Sequence, residues 1–243
     1  MLKALIAPHA GYVYSGPIAG SAYRALGEVA HRIKRVVLIG PSHFVGFSGL
    51  AVSAAAAFET PLGAVPIDDS VRGEILRLPH VVAADLPHAR EHSLEVQLPF
   101  LQMLLSEFRV LPIVTGKATV REVAAVLEHV WGDEETLIIV SSDLSHYLRY
   151  DAARCVDAAT AQAILARSTE LDGEQACGCV GINGLMQLAA ERALEVRLLD
   201  LRNSGDTAGD KERVVGYGAF GFFGRPADRA SEATATVTLT HNQ

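Results

Sequence analysis

Cysteine is scarce in this chain of 243 residues: Cys155, Cys177 and Cys179 are an odd number, and the closest pair brackets a single glycine. One intervening residue is a poor span for a structural disulfide, so the chain reads as the product of a reducing compartment. Cationic side chains are in the minority, 21 Lys and Arg against 28 Asp and Glu, for a formal charge of −7 and a pI near 5.7. Without a basic face the surface cannot offset phosphate charge, so nucleic acid and anionic membranes are not expected as partners. Long apolar runs are missing too. The stretch from Met1 to Ala7 stops at Pro8 and His9, too short for a signal core or a membrane span. The expected location is cytoplasmic.

What is present suits one compact body. Hydrophobic residues make up 49% of the chain, enough to build a core at this length, and no repeat or Ser/Gly linker divides it. Short runs rich in Val, Ile and Leu read as buried strands at Ala4 to Ala7, Val36 to Ile39, Val110 to Val114, Leu137 to Val140 and Val214 to Phe223. Between them, helical stripes run over Ser93 to Leu105, Val120 to Val130 and Ala152 to Ala166, the last of which makes Cys155 a core residue. The alternation predicts a single α/β domain over 1–224, with a central, mostly parallel or mixed sheet flanked by helices. The segment from Gly49 to Asp68, with Thr60-Pro61-Leu62-Gly63 in its middle, reads as a hairpin or edge excursion, and 225–243 as a polar tail.

Three of these strands end alike. Ala-Leu-Ile-Ala leads to Pro8-His9, Val-Val-Leu-Ile-Gly to Pro41-Ser42-His43, and Leu-Ile-Ile-Val to Ser141-Ser142-Asp143-Leu144-Ser145-His146. A single histidine after a strand ordinarily serves as a loop or cap residue. Three at the same polarity predict a shared site, because the carboxyl ends of parallel strands form the rim where ligands bind. Asp143 and His146, three apart, would share one side of a helical turn, with Asp143 capping that turn, fixing the His146 tautomer, or both. Cys177 stands just ahead of a helical stripe, either as a small residue in a tight turn or as a thiolate favoured by the helix dipole. In Glu91-His92-Ser93-Leu94-Glu95, His92 can reach the rim while Glu95 completes a cap.

Taken in order, several motifs resemble those of the Memo family, whose prokaryotic members are often labelled AmmeMemoRadiSam system protein B. They are Ala7-Pro8-His9-Ala10-Gly11-Tyr12, Gly40-Pro41-Ser42-His43, Glu91-His92-Ser93-Leu94-Glu95, Ser141-Ser142-Asp143 with His146, Cys177-Gly178, Asn203-Ser204-Gly205-Asp206 and Val215-Gly216-Tyr217. The likeness spans roughly residues 4 to 223. It implies a fold like that of class III extradiol dioxygenases, a metal site at His9, His43 and Cys177, and His92, Asp143 and His146 as catalytic residues around it. Such enzymes hold ferrous iron with two histidines and a carboxylate, and here Cys177 would stand where the carboxylate does. A thiolate is softer and oxidisable, so ring cleavage does not follow from the likeness. Relatives usually carry some tens of residues with an aromatic Gly-x-Trp/Phe-Tyr motif before the Ala-Pro-His-Ala-Gly strand. This chain begins at that strand, so either the sequence is truncated or a wall of the site is omitted. A second thiol, Cys179, also follows Cys177-Gly178, where relatives tend to have a polar or basic residue and a proline.

The leading expectation is a metal-dependent, dioxygenase-like oxidoreductase acting on a small molecule, with iron or copper favoured and zinc admitted. A zinc-dependent hydrolase and a non-catalytic binding or scaffold protein that keeps the pocket are the alternatives. The family label associates such chains with AMMECR-type and radical SAM proteins, but no Cys-x3-Cys-x2-Cys cluster motif occurs here.

Overall fold

A computed structural model describes residues 1–224, so the tail expected at 225–243 lies outside the described residues. In chain order the elements begin with β1 (Leu2–Ala7), α1 (Tyr12–Arg24), β2 (Arg35–Pro41), β3 (Leu50–Val52), β4 (Ala57–Thr60), β5 (Gly63–Pro66), α2 (Asp69–Ile75) and β6 (Val81–Ala83). They continue with α3 (Leu98–Leu104), β7 (Arg109–Thr115), α4 (Val120–His129), β8 (Thr136–Ser141), β9 (His146–Leu148), α5 (Tyr150–Leu165), α6 (Cys179–Glu191), β10 (Glu195–Asn203) and β11 (Val214–Phe223). Nine strands form one mixed sheet in the order β10-β11-β1-β8-β2-β7-β3-β6, with β9 paired to β11. The segment read as an excursion supplies β3 to the sheet and then the separate β4–β5 hairpin.

The four central strands, β1, β8, β2 and β7, run parallel, and Leu38 of β2 lies opposite Ile139 of β8 and Pro112 of β7. Alternate side chains point to opposite faces, and both faces are covered, which is why these strands are apolar at nearly every position. Ile6, Val37, Ile39 and Val140 join Val123 and Leu127 of α4 and Ile182 and Leu185 of α6 in one core. Leu5, Val36, Leu38 and Ile139 meet Ile18 and Ala22 of α1 and Leu98 and Leu101 of α3 in the other. The result is a single α/β domain whose sheet is flanked by helices on both sides.

The sheet is more mixed than the strand–helix alternation suggests. β11 runs antiparallel to β1, and β10, which no apolar run announces, pairs antiparallel beyond it. As an edge strand, β10 carries the charged pairs Glu195–Arg197 and Asp200–Arg202, which blunt the edge and mask the strand pattern. The helix expected from Ser93 begins only at Leu98, after a 3₁₀ turn over Glu95–Gln97, because the preceding backbone is fastened elsewhere. Cys155 is exposed rather than buried: the inward face of α5 is Ala153, Asp157, Thr160, Ala161 and Ile164, and Cys155 falls outside that stripe. Among the described residues no helix is long and apolar enough to cross a membrane.

Helix α6 crosses α4 at Gly184, where a Cβ would sit 2.6 Å from Val123 Cβ and 3.2 Å from the Ala124 nitrogen. Overpacking of this kind costs about 1–3 kcal/mol, and each kcal/mol lowers Tm by roughly 2–4 °C at this size. Gly184→Val is therefore expected to lower the midpoint of thermal unfolding by several degrees. An unchanged midpoint in calorimetry would show that the two helices separate freely.

Candidate metal centre

β1, β8 and β2 lie side by side and parallel, so the loops that leave their carboxyl ends emerge at one rim. His9 follows β1, Asp143 follows β8 and His43 follows β2. His92 comes from the loop ahead of α3, and Cys177 from the turn ahead of α6. The His92 loop is pressed onto β2 at Gly40, where a Cβ would meet Ser93 Oγ at 2.8 Å and Leu94 Cδ2 at 2.9 Å. Only glycine admits that approach.

Among the described residues, His9, His43 and His92 form the group whose candidate ligand atoms all lie within 4.8 Å of one another. The His43 and His92 rings stack at 5.2 Å, and His9 meets each edge-on at 5.3 and 5.7 Å. Two nitrogens bound to one ion are at most about 4.2 Å apart, so small ring rotations would close the set on an ion. Side-chain exposure rises from 2% at His9 through 29% at His43 to 46% at His92, so the group opens to solvent on the His92 side. Cys177 Sγ stands beside the triple at 3.4 Å from His9 Nε2. Imidazole nitrogens with a neighbouring thiol suit zinc, copper or iron rather than an oxygen-preferring ion.

His92, expected as a catalytic residue beside the metal, thus stands inside the triple with His9 and His43. The carboxylate that organises the group is Glu91; Glu95, read as completing a cap, opens the 3₁₀ turn without a side-chain cap hydrogen bond. Buried Glu91 accepts hydrogen bonds from the His43 backbone (2.6 Å), His43 Nδ1 (2.8 Å) and the backbone N–H groups of His92 (3.0 Å) and Ser93 (2.9 Å). Its adjacency to His92 is visible in the sequence. Its partnership with His43, 48 positions away, is not.

Asp143 also has a different task from the one the spacing suggested. No helical turn follows β8; His146 opens β9 instead, and Tyr147 takes a positive φ of 60°. Asp143 Oδ1 accepts from the backbone N–H groups of His9 (2.8 Å) and Ala10 (3.3 Å), fastening the loop between β1 and α1. Among the described residues no hydrogen bond joins Asp143 to His146, so the expected orienting contact is replaced by a loop clamp.

Electrostatics divide the group. Burial, with His43 and His92 nearby, pushes the His9 pKa down to about 3, so its 3.9 Å contact with Asp143 is no ion pair at neutral pH. The Glu91 hydrogen bond raises the pKa of His43. Burial works against ionised Glu91, yet the bonds from His43 and Ser93 override it and hold that carboxyl at about 2. Burial lifts Asp143 to about 6 against the opposing bond from the His9 backbone. It also pushes the Cys177 thiol up to about 12, with the Asp143 carboxylate adding to the effect, so a nearby cation is needed to favour the thiolate.

The family model described as Memo-like protein matches residues 1–220. A MEMO1 family protein of Aquifex aeolicus is 38% identical over 230 residues, covering 88% of this chain and 84% of its own length. One from Nitrosopumilus maritimus is 36% identical over 236 residues, covering 90% of this chain and 83% of its own length. Among solved structures, an uncharacterized protein, JW3007, from Escherichia coli K12 matches with a TM-score of 0.53 at 13% identity, covering 89% of this chain and 99% of that one. At that identity the likeness concerns the fold alone.

Because His43 must lose its proton to bind a metal, zinc affinity is expected to fall more steeply once pH drops below the raised His43 pKa, by a further factor of about ten per unit beyond the loss due to the Cys177 proton. Glu91→Gln removes the charge that raises that pKa, so the break moves to lower pH. Affinity at alkaline pH drops about 10–100-fold, the usual cost of losing an outer-shell partner. Competition titrations against a chromophoric chelator across pH check both; a break that stays in place would show that Glu91 does not govern His43.

Proposed function

The chain belongs to the Memo-like protein family, and from that membership we propose that it is a metal-dependent oxidoreductase of dioxygenase-like type acting on a small molecule. One observation carries the reading: three imidazoles from remote parts of the chain converge within 4.8 Å, with a cysteine sulfur 3.4 Å from one of them. His9, His43 and Cys177 are assigned as the ligands, with His92 within reach of the same ion. Bound there, iron or copper supplies redox chemistry and open coordination positions.

The protein's own groups then divide the remaining work. The solvent-facing side of the group, at His92, is the side from which a small molecule enters. Phe44 is 52% exposed, 6.3 Å from the His92 ring, and carries the Arg90 guanidinium over its own ring at 5.2 Å. Together they offer a flat apolar surface with positive charge beside it. His146 is assigned the exchange of a proton with a substrate hydroxyl. Asp143 holds the His9 loop and, with a pKa of about 6, can change protonation near neutral pH.

A zinc hydrolase is the second reading, favoured by the same observation, because three histidines are also a set that holds catalytic zinc. Metal analysis of protein purified without chelator separates the two. The expected result is about one iron or copper per chain, lowered at least tenfold in both Cys177→Ala and His43→Ala, with oxygen uptake in the presence of catechols or thiols. Zinc alone with no oxygen uptake favours hydrolysis. Unchanged metal content in both variants defeats the ligand assignment.

A further inference from the structure

His9 holds its ring by a chain of buried neutral groups, and the proton positions along that chain follow from which atoms are unable to donate. The Gln97 side chain lies with one end 3.0 Å from the Pro8 carbonyl and the other 2.7 Å from the Tyr23 hydroxyl. A carbonyl only accepts, so the amide nitrogen faces Pro8 and the amide oxygen takes the Tyr23 proton. That nitrogen also donates to Ser141 Oγ at 2.8 Å. Ser141 Oγ in turn lies 2.6 Å from the Ser93 carbonyl, which again only accepts. The single hydroxyl proton of Ser141 is therefore committed to Ser93.

What remains on Ser141 Oγ is acceptor capacity, and His9 Nδ1 is 2.9 Å away. Nδ1 must carry the ring proton. A neutral imidazole has only one, so Nε2, on the side of Cys177 Sγ, keeps a bare lone pair. All four groups are sealed from water: Gln97, Ser141 and Ser93 are 0% exposed and Tyr23 is 1% exposed. No solvent molecule can relieve a wrong tautomer there without breaking the network.

We propose that Ser141, committed by the Ser93 carbonyl and backed by Gln97 and Tyr23, is a positioning residue that fixes the His9 tautomer so that Nε2 is ready to ligate before any ion arrives. The proposal rests on the metal-centre reading for its purpose, not for its geometry. His43 receives the same Nδ1–H assignment from the Glu91 carboxylate, a charged partner. The two rings are thus preset by different means, one by an anion and the other by a neutral relay that reaches back to α1.

Two-bond proton–nitrogen correlation spectra of histidine-labelled, metal-free protein read the tautomer directly, with His9→Gln identifying the signal. Wild type is expected to show His9 protonated at Nδ1. Ser141→Ala is expected to move the signal to the Nε2–H form or to a mixture, and to weaken zinc binding about 10–100-fold. A wild-type ring protonated at Nε2 overturns the proposal, and this holds even if Ser141→Ala does not fold. So does a Ser141→Ala protein that keeps both the wild-type signal and a zinc affinity within about threefold of wild type. Gln97→Met, which leaves the Ser141 proton on Ser93, is expected to keep the Nδ1–H signal; its loss would place the lock at Gln97 and overturn the role given to Ser141. If wild type binds no zinc, iron or copper, the metal reading fails while the spectra still decide the tautomer.

Discussion

The parallel, in-register pairing of β1, β8 and β2 is the constraint on which the rest of the molecule depends. Neighbouring strands are roughly 4.8 Å apart, and their ends cannot drift independently once both faces of the sheet are packed. The residues just past those ends therefore inherit their spacing from the core rather than from the loops. His9, Asp143 and His43 are near one another because Leu5, Ile139 and Leu38 share a buried layer. Gly40 extends the same logic to His92, since the loop that bears it can lie on β2 only where no Cβ intervenes.

Upon that frame the chain gathers groups that would repel or desolvate one another at some cost. Three imidazoles in one pocket cannot all be protonated, and burial settles the matter by keeping His9 neutral while Glu91 supports charge on His43. Anionic Glu91 takes four hydrogen bonds, enough to hold a buried carboxylate. Cys177 is the exception, a thiol held protonated by its surroundings. At rest only the His9 lone pair is held free by burial, while a cation entering the site would have to displace protons from His43 and Cys177.

Much of this was legible without coordinates, and the boundary of legibility has a physical cause. Strands with both faces buried advertise themselves as apolar runs, so β1, β2, β7, β8 and β11 and the histidines after β1 and β2 could be read directly. Edge strand β10 could not, because all but its last residue reach water in part and four of them form paired charges. His92 was visible, but its place inside the imidazole group depends on a glycine 52 positions away, and the role of Glu91 depends on a partner 48 positions away. The spacing of Asp143 and His146 misled for a related reason. Three residues apart means one face only if the backbone is helical, and here it extends into β9 with Tyr147 in the left-handed region.

The segments that meet at the centre are far apart along the chain: Cys177 touches a histidine 168 positions before it. A ligand held by several of them would act as a clasp across most of the polypeptide, closing loops whose entropy no local contact repays. Its occupancy would then be tied by mass action to unfolding of the whole sheet rather than to fraying of one loop. A fragment without β1 and the loop after it would lose His9, and one that ended before Cys177 would lose the thiol, however well the remaining strands held together.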